Sequence, residues 1–393
     1  MGITKEHLQT RPLAELTAYD LDSKLPALTG AELSDVAGIW QSLTAENPFA
    51  DLATSFVGFR SWMQHLGRGN LLLFAPHSGS ETIALLPVKL WSRAVAGVRF
   101  RCFSSPGDFF WRVGYPIIGW DAGRAIGSLL DLLRRRRDWD LLELGPMLSD
   151  SVHVASLLSV GESLGLKPEI CRRELDPVVE ISGTWEQYEK SRSANLRREM
   201  RRGERRLSAL GQLTLEIYRG GPDLEAQFDE FCRLEACGWK GKEGSALACD
   251  ARTRSFFLDL ARAAAREGTF RLYFVRLDGR AIACQYAIVH GRTVYALKMG
   301  RDESLADYWV GHVLHKLILE HLFETREADL FDMLMDPSAH SAYKSRWATR
   351  NREYVWLRFF HGATIRGRLA HALLRLKRKL SGPAQRSQTA HDS

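Results

Sequence analysis

The sequence predicts an α+β protein of two similar domains, each built on a mixed β-sheet. Its length of 393 residues suits two or three domains. In the C-terminal half the elements follow the order β-α-α-β-β-β-α-β-α-β, and the N-terminal half repeats that order in a degenerate form. Hydrophobic residues make up 45% of the chain and charged residues 26%, which excludes a collagen, a wholly disordered chain and a membrane protein.

An antiparallel meander is the clearest feature of the C-terminal half. Its strands alternate apolar and polar side chains, and Asp278-Gly279 forms the turn between the first two. The helix after the meander has apolar residues at spacings of three and four. In chain order the predicted elements are strand 212–218, helices 223–237 and 253–267, strands 270–276, 281–289 and 293–299, a helix that includes 310–321, strand 329–334, a helix or helical turn at 338–347 and strand 354–360.

The N-terminal half shares this order of elements without obvious residue identities, so we predict two domains of one fold that join near residues 182–190. The predicted ranges are 1–185 and 186–361 for the two domains and 362–393 for a basic tail, of which 382–393 is expected to be disordered. The N-terminal elements are strands 71–75, 82–90 and 98–103, helix 123–136, strand 140–144, helix 152–164 and strand 177–181.

The positive charge of the chain is concentrated in two segments. The chain has 54 Lys and Arg against 47 Asp and Glu, a formal net charge of +7. Residues 361–393 hold seven basic residues and one acid, and residues 191–206 hold seven arginines and two glutamates. The rest of the chain is therefore mildly acidic. This distribution argues against a protein that coats nucleic acid over its whole surface.

Residues 191–206 predict one amphipathic helix with an arginine face, because the arginines from Arg197 onward cover one half of a helical wheel. The planar donors of arginine suit phosphates and carboxylates. The face is predicted to contact an anionic ligand, phosphate groups or RNA, or else to be a solvated surface. The opposite half consists of Leu196, Met200, Gly203, Leu207 and Leu210.

Residues 363–380 predict a second amphipathic helix. Basic residues flank its apolar stripe, and the segment contains no acid. This composition suits a helix that lies on an anionic membrane, and it equally suits a helix docked on the protein's own body. The sequence leaves both interpretations open. The stripe consists of Ile365, Leu369, Ala372, Leu373, Leu376 and Leu380.

Targeting signals and metal motifs are missing from the sequence. Residues 1–16 lack the apolar core of a signal peptide, and no apolar run reaches the length of a membrane span. We therefore expect a cytoplasmic protein, peripheral at the inner membrane face if the tail binds lipid. The six cysteines form no C-x-x-C pair, and Cys232 and Cys237 lack a matching partner set, so reduced thiols and no metal are expected.

Several short segments resemble the CelD-like acetyltransferases of bacterial polysaccharide operons, which are tandem GNAT proteins akin to the FemAB peptidyl transferases. The order of elements, with a helix directly after the third meander strand, also resembles the GNAT fold. The resemblance covers about residues 40–360, and it implies tandem GNAT domains, a degenerate N-terminal one among them, with acetyl-CoA or another acyl-CoA as donor. Its segments are 47–49, 195–206, 234–242, 298–303, 332–334 and 343–347.

The resemblance also implies where the donor binds. GNAT enzymes hold the CoA pyrophosphate at the start of the helix after the third meander strand, where unpaired N–H groups and the positive helix end favour an anion. Gly311 matches the GNAT pattern there, whereas Tyr308 and Val313 depart from it. The oxyanion donor is expected in the backbone of Leu297, Lys298 and Met299. The implied pyrophosphate site consists of Tyr308, Trp309, Val310, Gly311, His312 and Val313.

Acyl transfer from a thioester needs a base, oxyanion donors and an acid for the thiolate. Glu235 is the first candidate for the base, because it ends a helix near Trp239; the alternative is a carboxylate paired with Lys240 or Arg233. Asp332 lies inside an apolar strand, where an unpaired carboxylate is costly. It is predicted to act on the substrate or to form an ion pair with Lys344.

Tyr343 resembles the tyrosine general acid of many GNAT enzymes, although a tyrosine on an amphipathic helix is also an ordinary core residue. His340 lies three residues before it and is a further catalytic candidate. Contacts to the acceptor or to anionic groups are expected from Trp239, Lys240, Arg197, Arg201 and Lys344.

Three functional hypotheses remain open at this point. The first is an acyl-CoA-dependent transferase that acts on an amine or hydroxyl, in polysaccharide or cell-envelope biosynthesis. The second is a FemAB-like transferase that takes an aminoacyl group from tRNA, with the arginine face on RNA. The third is a catalytically inert GNAT scaffold of a polysaccharide-synthesis complex, which the altered pyrophosphate motif favours.

Overall fold

Two compact units make up the chain, and each is discontinuous in sequence. The first comprises residues 1–50, 68–173 and 355–393, and the second comprises 51–67 and 174–354. The join predicted near 182–190 differs from these limits, because two long strands each contribute residues to both units. The computed structural model describes residues 19–21, 30–45, 52–67, 71–79, 81–106, 117–119, 121–237, 244, 246–334 and 339–380.

The mixed α/β class predicted from the sequence is confirmed. The helices are α1 (Gly30–Ala45), α2 (Phe56–His65), α3 (Ala122–Arg135), α4 (Val152–Ser163), α5 (Trp185–Ser191), α6 (Ala194–Ser208), α7 (Leu224–Ala236), α8 (Ala251–Arg266), α9 (Val310–Thr325) and α10 (Ile365–Leu380). The strands are β1 (Tyr19–Leu21), β2 (Leu71–Phe74), β3 (His77–Ser78), β4 (Glu81–Thr82), β5 (Ala84–Val95), β6 (Val98–Ser104), β7 (Ile117–Ile118), β8 (Leu141–Leu148), β9 (Lys167–Glu180), β10 (Leu213–Tyr218), β11 (Phe270–Leu277), β12 (Arg280–His290), β13 (Thr293–Arg301), β14 (Leu330–Asp332) and β15 (Arg350–Phe360).

The first unit is built on strands in the order β1-β2-β5-β6-β8, with β6 and β8 parallel and the other neighbours antiparallel. Helices α3 and α4 cover this sheet with apolar side chains such as Leu129 and Leu157. The side chain of Asp121 caps α3 by accepting the N–H of Arg124 at 3.1 Å. The predicted elements of the N-terminal half are therefore present, with shifted bounds.

The second unit has the strand order β9-β14-β13-β12-β11-β10, with β13 and β14 parallel. Helices α6 and α9 pack on one face of its sheet through residues such as Met200 and Val313. Aromatic rings of α7 and α8 gather around Tyr286 of β12, with Phe231 at 5.7 Å and Phe257 at 5.5 Å between ring centroids. The antiparallel meander predicted for this half consists of β11, β12 and β13.

The two predicted amphipathic helices are both present. In α6 the buried side is the one that the sequence predicts, although Leu210 lies beyond the helix end and is half exposed. In α10 the buried residues are Gly367, Ala370 and Leu374, which face the core of the first unit. The predicted stripe points elsewhere: Ile365 is 77% exposed and Leu376 is 53% exposed. Among the described residues, no helix is long and apolar enough to cross a membrane.

Candidate active site

The parallel pair β13–β14 leaves part of one strand edge open. It joins only Thr293–Tyr295 to Leu330–Asp332, whereas β13 continues as far as Arg301. On that side, residues 296–301 have no partner strand within the part of the chain that the structure describes. Such an edge presents backbone N–H and C=O groups to a ligand that binds next to it.

A β-bulge lies in the same stretch of β13. Its pairing with β12 has one extra residue, Leu297. The buried side-chain amide of Gln285 donates to the carbonyl of Lys298 at 2.8 Å and to that of Tyr286 at 3.0 Å, which holds the bulge in place. Bulges redirect strand groups and are common beside active sites. The segment Leu297–Met299, expected to supply the oxyanion donor, therefore lies at a bulge on the open edge.

Helix α7 ends directly against this strand. A Cβ on Gly300 would lie 2.5 Å from the backbone nitrogen of Glu235, so glycine is required for this approach. The Glu235 side chain is buried, and its Oε2 accepts the N–H of Leu247 at 2.9 Å. Arg233, one alternative partner for Glu235, pairs instead with Glu230 at 3.3 Å. Glu235 thus links the end of α7 to the segment before α8.

The start of α9 offers unpaired backbone donors. Trp309 precedes the helix in the left-handed conformation, with φ 52° and ψ 35°. Its carbonyl accepts the N–H groups of His312 at 2.8 Å and of Val313 at 3.1 Å. The geometry of a helix leaves the earlier N–H groups, those of Val310 and Gly311, without an intrahelical partner. Such N–H groups and the positive end of the helix dipole are the features that favour an anion at a helix start.

Arginines of α6 lie beside this helix start. The guanidinium of Arg202 lies 5.2 Å from the ring centroid of Trp309, and that of Arg206 lies 4.3 Å from the ring centroid of Tyr308. Gly203 permits this close packing, because a Cβ there would lie 2.6 Å from the carbonyl oxygen of Tyr308. Two cations therefore stack on the two aromatic rings that precede α9.

The start of α9 also adjoins the bulged strand. A Cβ on Gly311 would meet nothing closer than 3.8 Å, and the nearest atoms would be Nη1 of Arg301 and Cε of Met299. The Nε of Arg301 donates to Glu303 at 3.1 Å. Met299 follows the bulge, so the open edge of β13, a third guanidinium and the N-terminus of α9 lie together.

Two buried histidines and two aromatic rings lie along the first turns of α9. His315 stacks on Tyr343 with ring centroids 5.7 Å apart, and His312 stacks on Trp347 at 5.8 Å. The hydroxyl of Tyr343 lies 3.8 Å from the sulfur of Met299. The proposed general acid therefore reaches the same strand that carries the bulge.

Both imidazoles are neutral at pH 7. Burial and, to a smaller extent, the nearby Arg346 together lower the pKa of His312 to about 4. Burial lowers the pKa of His315 to about 3, with smaller contributions from His312 and Lys344. Glu199 lies 3.7 Å from His312 and 2.7 Å from Arg346, so its carboxylate pairs mainly with the arginine.

Asp332 forms a buried ion pair, but with a different partner from the predicted one. Its Oδ2 lies 3.4 Å from Nη1 of Arg352, and its Oδ1 accepts the N–H of Leu334 at 2.9 Å. Lys344, the partner that the sequence suggested, donates instead to the carbonyl of Leu334 at 2.6 Å. Burial raises the pKa of Asp332, and the charge of Arg352 opposes that rise.

The remaining predicted site residues either lie away from this site or fall outside the residues that the structure describes. Arg201 makes two hydrogen bonds to Glu189, at 2.9 and 2.8 Å, so this arginine is engaged within α5 and α6. Arg197 is half-buried on the same helix. His340 belongs to the 3-10 helix Ala339–Arg346, and its side chain is not among those described. Trp239 and Lys240, the segment 47–49 and residues 382–393 also lie outside the described residues.

Three contributors to this site were missed by the sequence analysis. Gln285 sits in an apolar strand, and a polar residue at such a position is the signal that could have marked it. His315 lies on the apolar side of α9, and a polar imidazole at such a position is a signal of the same kind. The sequence predicts the arginine face of α6. It does not predict that Arg202 and Arg206 are the arginines of that face that lie beside the start of α9.

A family comparison supports this location. Residues 194–345 match the family described as "Acetyltransferase (GNAT) domain", and this range includes α6, the bulged strand and α9. Residues 194–345 are therefore similar to a GNAT acetyltransferase domain. No curated protein matches the chain.

Solved structures of low sequence identity have the same fold over most of the chain. The crystal structure of FemX is 13% identical, with a TM-score of 0.55 over 86% of this chain and 98% of that one. A conserved protein of unknown function from Bacteroides thetaiotaomicron VPI-5482 has a TM-score of 0.52 at 11% identity, over 84% of this chain and 97% of that one. The C-terminal domain of a putative lysylphosphatidylglycerol synthetase from Agrobacterium fabrum has a TM-score of 0.50 at 14% identity, over 88% and 96%.

Proposed function

We propose that this protein transfers an acyl group from acyl-CoA to an amine or hydroxyl acceptor. The observation that carries the proposal is the bulged, open edge of β13 beside the unpaired N-terminus of α9, within the range that matches the GNAT domain. A strand edge with free backbone donors can bind an amide-rich chain and stabilise a developing oxyanion. A helix N-terminus next to it can hold a pyrophosphate.

The residues present fit a donor of this kind. The N–H groups of Val310 and Gly311 would contact the pyrophosphate, and the guanidinium groups of Arg202, Arg206 and Arg301 would balance its charge. Tyr308 stands where the usual GNAT pattern has a different residue. In this arrangement its ring positions the guanidinium of Arg206, which offsets the change. Acyl-CoA supplies the activated thioester carbonyl when it is bound.

Proton transfer in this proposal falls to side chains close to the bulge. Tyr343 would return a proton to the leaving thiolate, since its hydroxyl lies beside Met299. Glu235 is retained as a candidate base, because its backbone at the end of α7 lies against Gly300 of β13 and its side chain is buried. Asp332 is the less favoured candidate, because Arg352 and the N–H of Leu334 already bind its oxygens.

The proposed acceptor belongs to polysaccharide or cell-envelope biosynthesis, on the strength of the short CelD-like segments in the sequence. The competing aminoacyl-tRNA function draws on the likeness of the fold to FemX and on the arginine face of α6. The surroundings of Arg202 and Arg206 favour the first function, because both guanidinium groups stack on rings at the helix start.

Calorimetric titration with acetyl-CoA, free CoA and bulk tRNA separates these functions. Binding of acetyl-CoA and CoA, without tight binding of tRNA, is the expected result. Tight tRNA binding that falls steeply with added salt, together with no binding of either CoA ligand, would replace the proposal by the tRNA-dependent function. Failure of all three ligands to bind would indicate an inert scaffold.

Tyr343→Phe is expected to lower kcat by about 10- to 100-fold, because the thiolate would leave without its proton donor. The KM for acyl-CoA should change little, since the ring and its stacking on His315 are kept. Tyr218→Phe is the matched control: it removes a tyrosine hydroxyl that donates to Asp223 at 2.8 Å, on the outer strand β10. Equal kcat values for the two variants would exclude Tyr343 as the general acid.

A further inference from the structure

Helix α10 is attached to the first unit by one narrow side. Ala370 and Leu374 are buried there in a cluster with Phe100 and Leu141. Gly367 lies so close to the preceding turn that a Cβ would come within 2.3 Å of the carbonyl oxygen of His361. Leu373 and the ring of His371 pack at the margins of this docking side, and the opposite side of the helix faces outward.

The outward side of α10 carries large apolar residues. Ile365, Leu369 and Leu376 are 77%, 41% and 53% exposed, and Ala372 is exposed between them. At 100° per residue these four positions fall within one stripe, opposite the docking side. A docked helix has already buried the side that stabilises it, so this second stripe is not needed to hold the helix in place.

Basic residues follow one border of the outward stripe. By the same helical spacing these are Arg368, Arg375 and Lys379, whereas Lys377 lies closer to the docking side. All four side chains are exposed, and none forms an ion pair with another described residue.

The acids closest to the helix are already paired. Asp140 binds Arg366 at 3.2 Å and Arg101 at 2.8 Å, and Glu169 binds Arg378. Residues 363–380 themselves contain no acid. The exposed surface of α10 is therefore an apolar stripe with unpaired cations along one border, and it has no negative charge of its own.

We propose that α10 binds the surface of an anionic lipid bilayer. Its outward stripe would enter the boundary between headgroups and acyl chains, and its flanking cations would contact the lipid phosphates, as in interfacial amphipathic helices. The charge pattern favours this partner over a nucleic acid, which would leave the leucines in water. It also favours a bilayer over a second copy of this chain, because two such helices would bring like charges together. The proposal is independent of the acyl-transfer function.

Sedimentation of the full-length protein with vesicles tests the proposal. Vesicles of phosphatidylcholine with about one third phosphatidylglycerol should bind the protein at low salt, and pure phosphatidylcholine vesicles should bind it at least about tenfold more weakly. The double variant Leu369→Asp/Leu376→Asp should lower binding to the anionic vesicles by at least about tenfold, because it removes apolar insertion and adds repulsion. Val152→Asp is the control, since Val152 is 48% exposed in the same unit but lies outside α10.

A charge variant completes the test. Arg368→Gln/Arg375→Gln/Lys379→Gln keeps the leucines and should abolish the preference for anionic vesicles, with an unchanged thermal transition. The proposal is overturned if the wild type does not sediment with anionic vesicles. Loss of binding by the charge variant, with binding kept by the leucine variant, would also overturn it and would indicate a nucleic-acid surface. So would a lipid-free dimer that the leucine variant converts to a monomer, because the stripe would then bind a second copy of this chain.

Discussion

Arg352→Met is expected to lower the free energy of unfolding by about 3–5 kcal/mol, because it leaves Asp332 buried without its cation. Asp332 is fully buried, and the side chain of Arg352 is only 12% exposed, so water cannot replace the lost partner. The N–H of Leu334 still donates to the carboxylate, but a single neutral donor cannot compensate a buried charge. Urea denaturation at pH 7 measures this loss.

The double variant Asp332→Leu/Arg352→Met is the informative companion. Replacing both charges by apolar groups removes the cost of burying them, so most of the lost stability should return. The deficit of the single variant should also shrink as the pH falls towards 4, because a carboxyl with a raised pKa takes up a proton in the folded state. If the free energy of unfolding of Arg352→Met lies within about 1 kcal/mol of wild type, the ion pair is not what keeps Asp332 buried. Full activity in a stable double variant would remove Asp332 from the catalytic candidates.

Acidification is expected to produce the second large effect, through the histidines of α9. Unfolded imidazoles titrate near pH 6.5, whereas folded His312 and His315 titrate at about 4 and about 3. Between those values the unfolded state binds more protons, so stability is complete above about pH 6.5 and falls as the pH drops. Each imidazole should cost up to about 1.4 kcal/mol per pH unit in that window.

Unfolding free energies measured between pH 7 and pH 4 test this expectation. His315→Leu removes one of the two buried imidazoles, so the slope of stability against pH should fall by about one bound proton. The stacked ring of Tyr343 would remain in contact with an apolar side chain. An unchanged slope would mean that His315 already carries its proton in the folded protein, contrary to its burial.

Much of the fold could be predicted from local patterns, and the misses have physical causes. The meander and α6 were predictable because periodicity and turn residues specify them within a few neighbouring residues. The strand predicted at 177–181 is instead the end of β9, which begins at Lys167. Its charged residues hide the strand pattern, and the partner of Arg172, the ring of Trp356, comes from a distant segment. The docking side of α10 was likewise not predicted, since Gly367, Ala370 and Leu374 form it, and only Leu373 of the predicted stripe packs against it.

The site was less predictable than the fold, because it depends on contacts between distant segments. The start of α9 could be located from Gly311 and the resemblance to GNAT enzymes. The ion-pair partner of Asp332 could not be predicted, because Arg352 lies twenty residues later in the chain and is brought close by strand pairing. The bulge at Leu297 has no signature in the sequence, and only the pairing of β12 with β13 reveals it.

The central claim is that the N-terminus of α9 binds the phosphates of acyl-CoA, and two variants at one position test it directly. Gly311→Pro removes one backbone donor at the second position of the helix, where the N–H has no intrahelical acceptor to lose. Gly311→Ala keeps that donor, and its Cβ has room because nothing lies closer than 3.8 Å. Thermal unfolding establishes that both variants are folded. Calorimetry should then give a Kd for acetyl-CoA about 10- to 100-fold higher for the proline variant, with the alanine variant close to wild type. Equal affinities of the folded proline variant and wild type would contradict the claim.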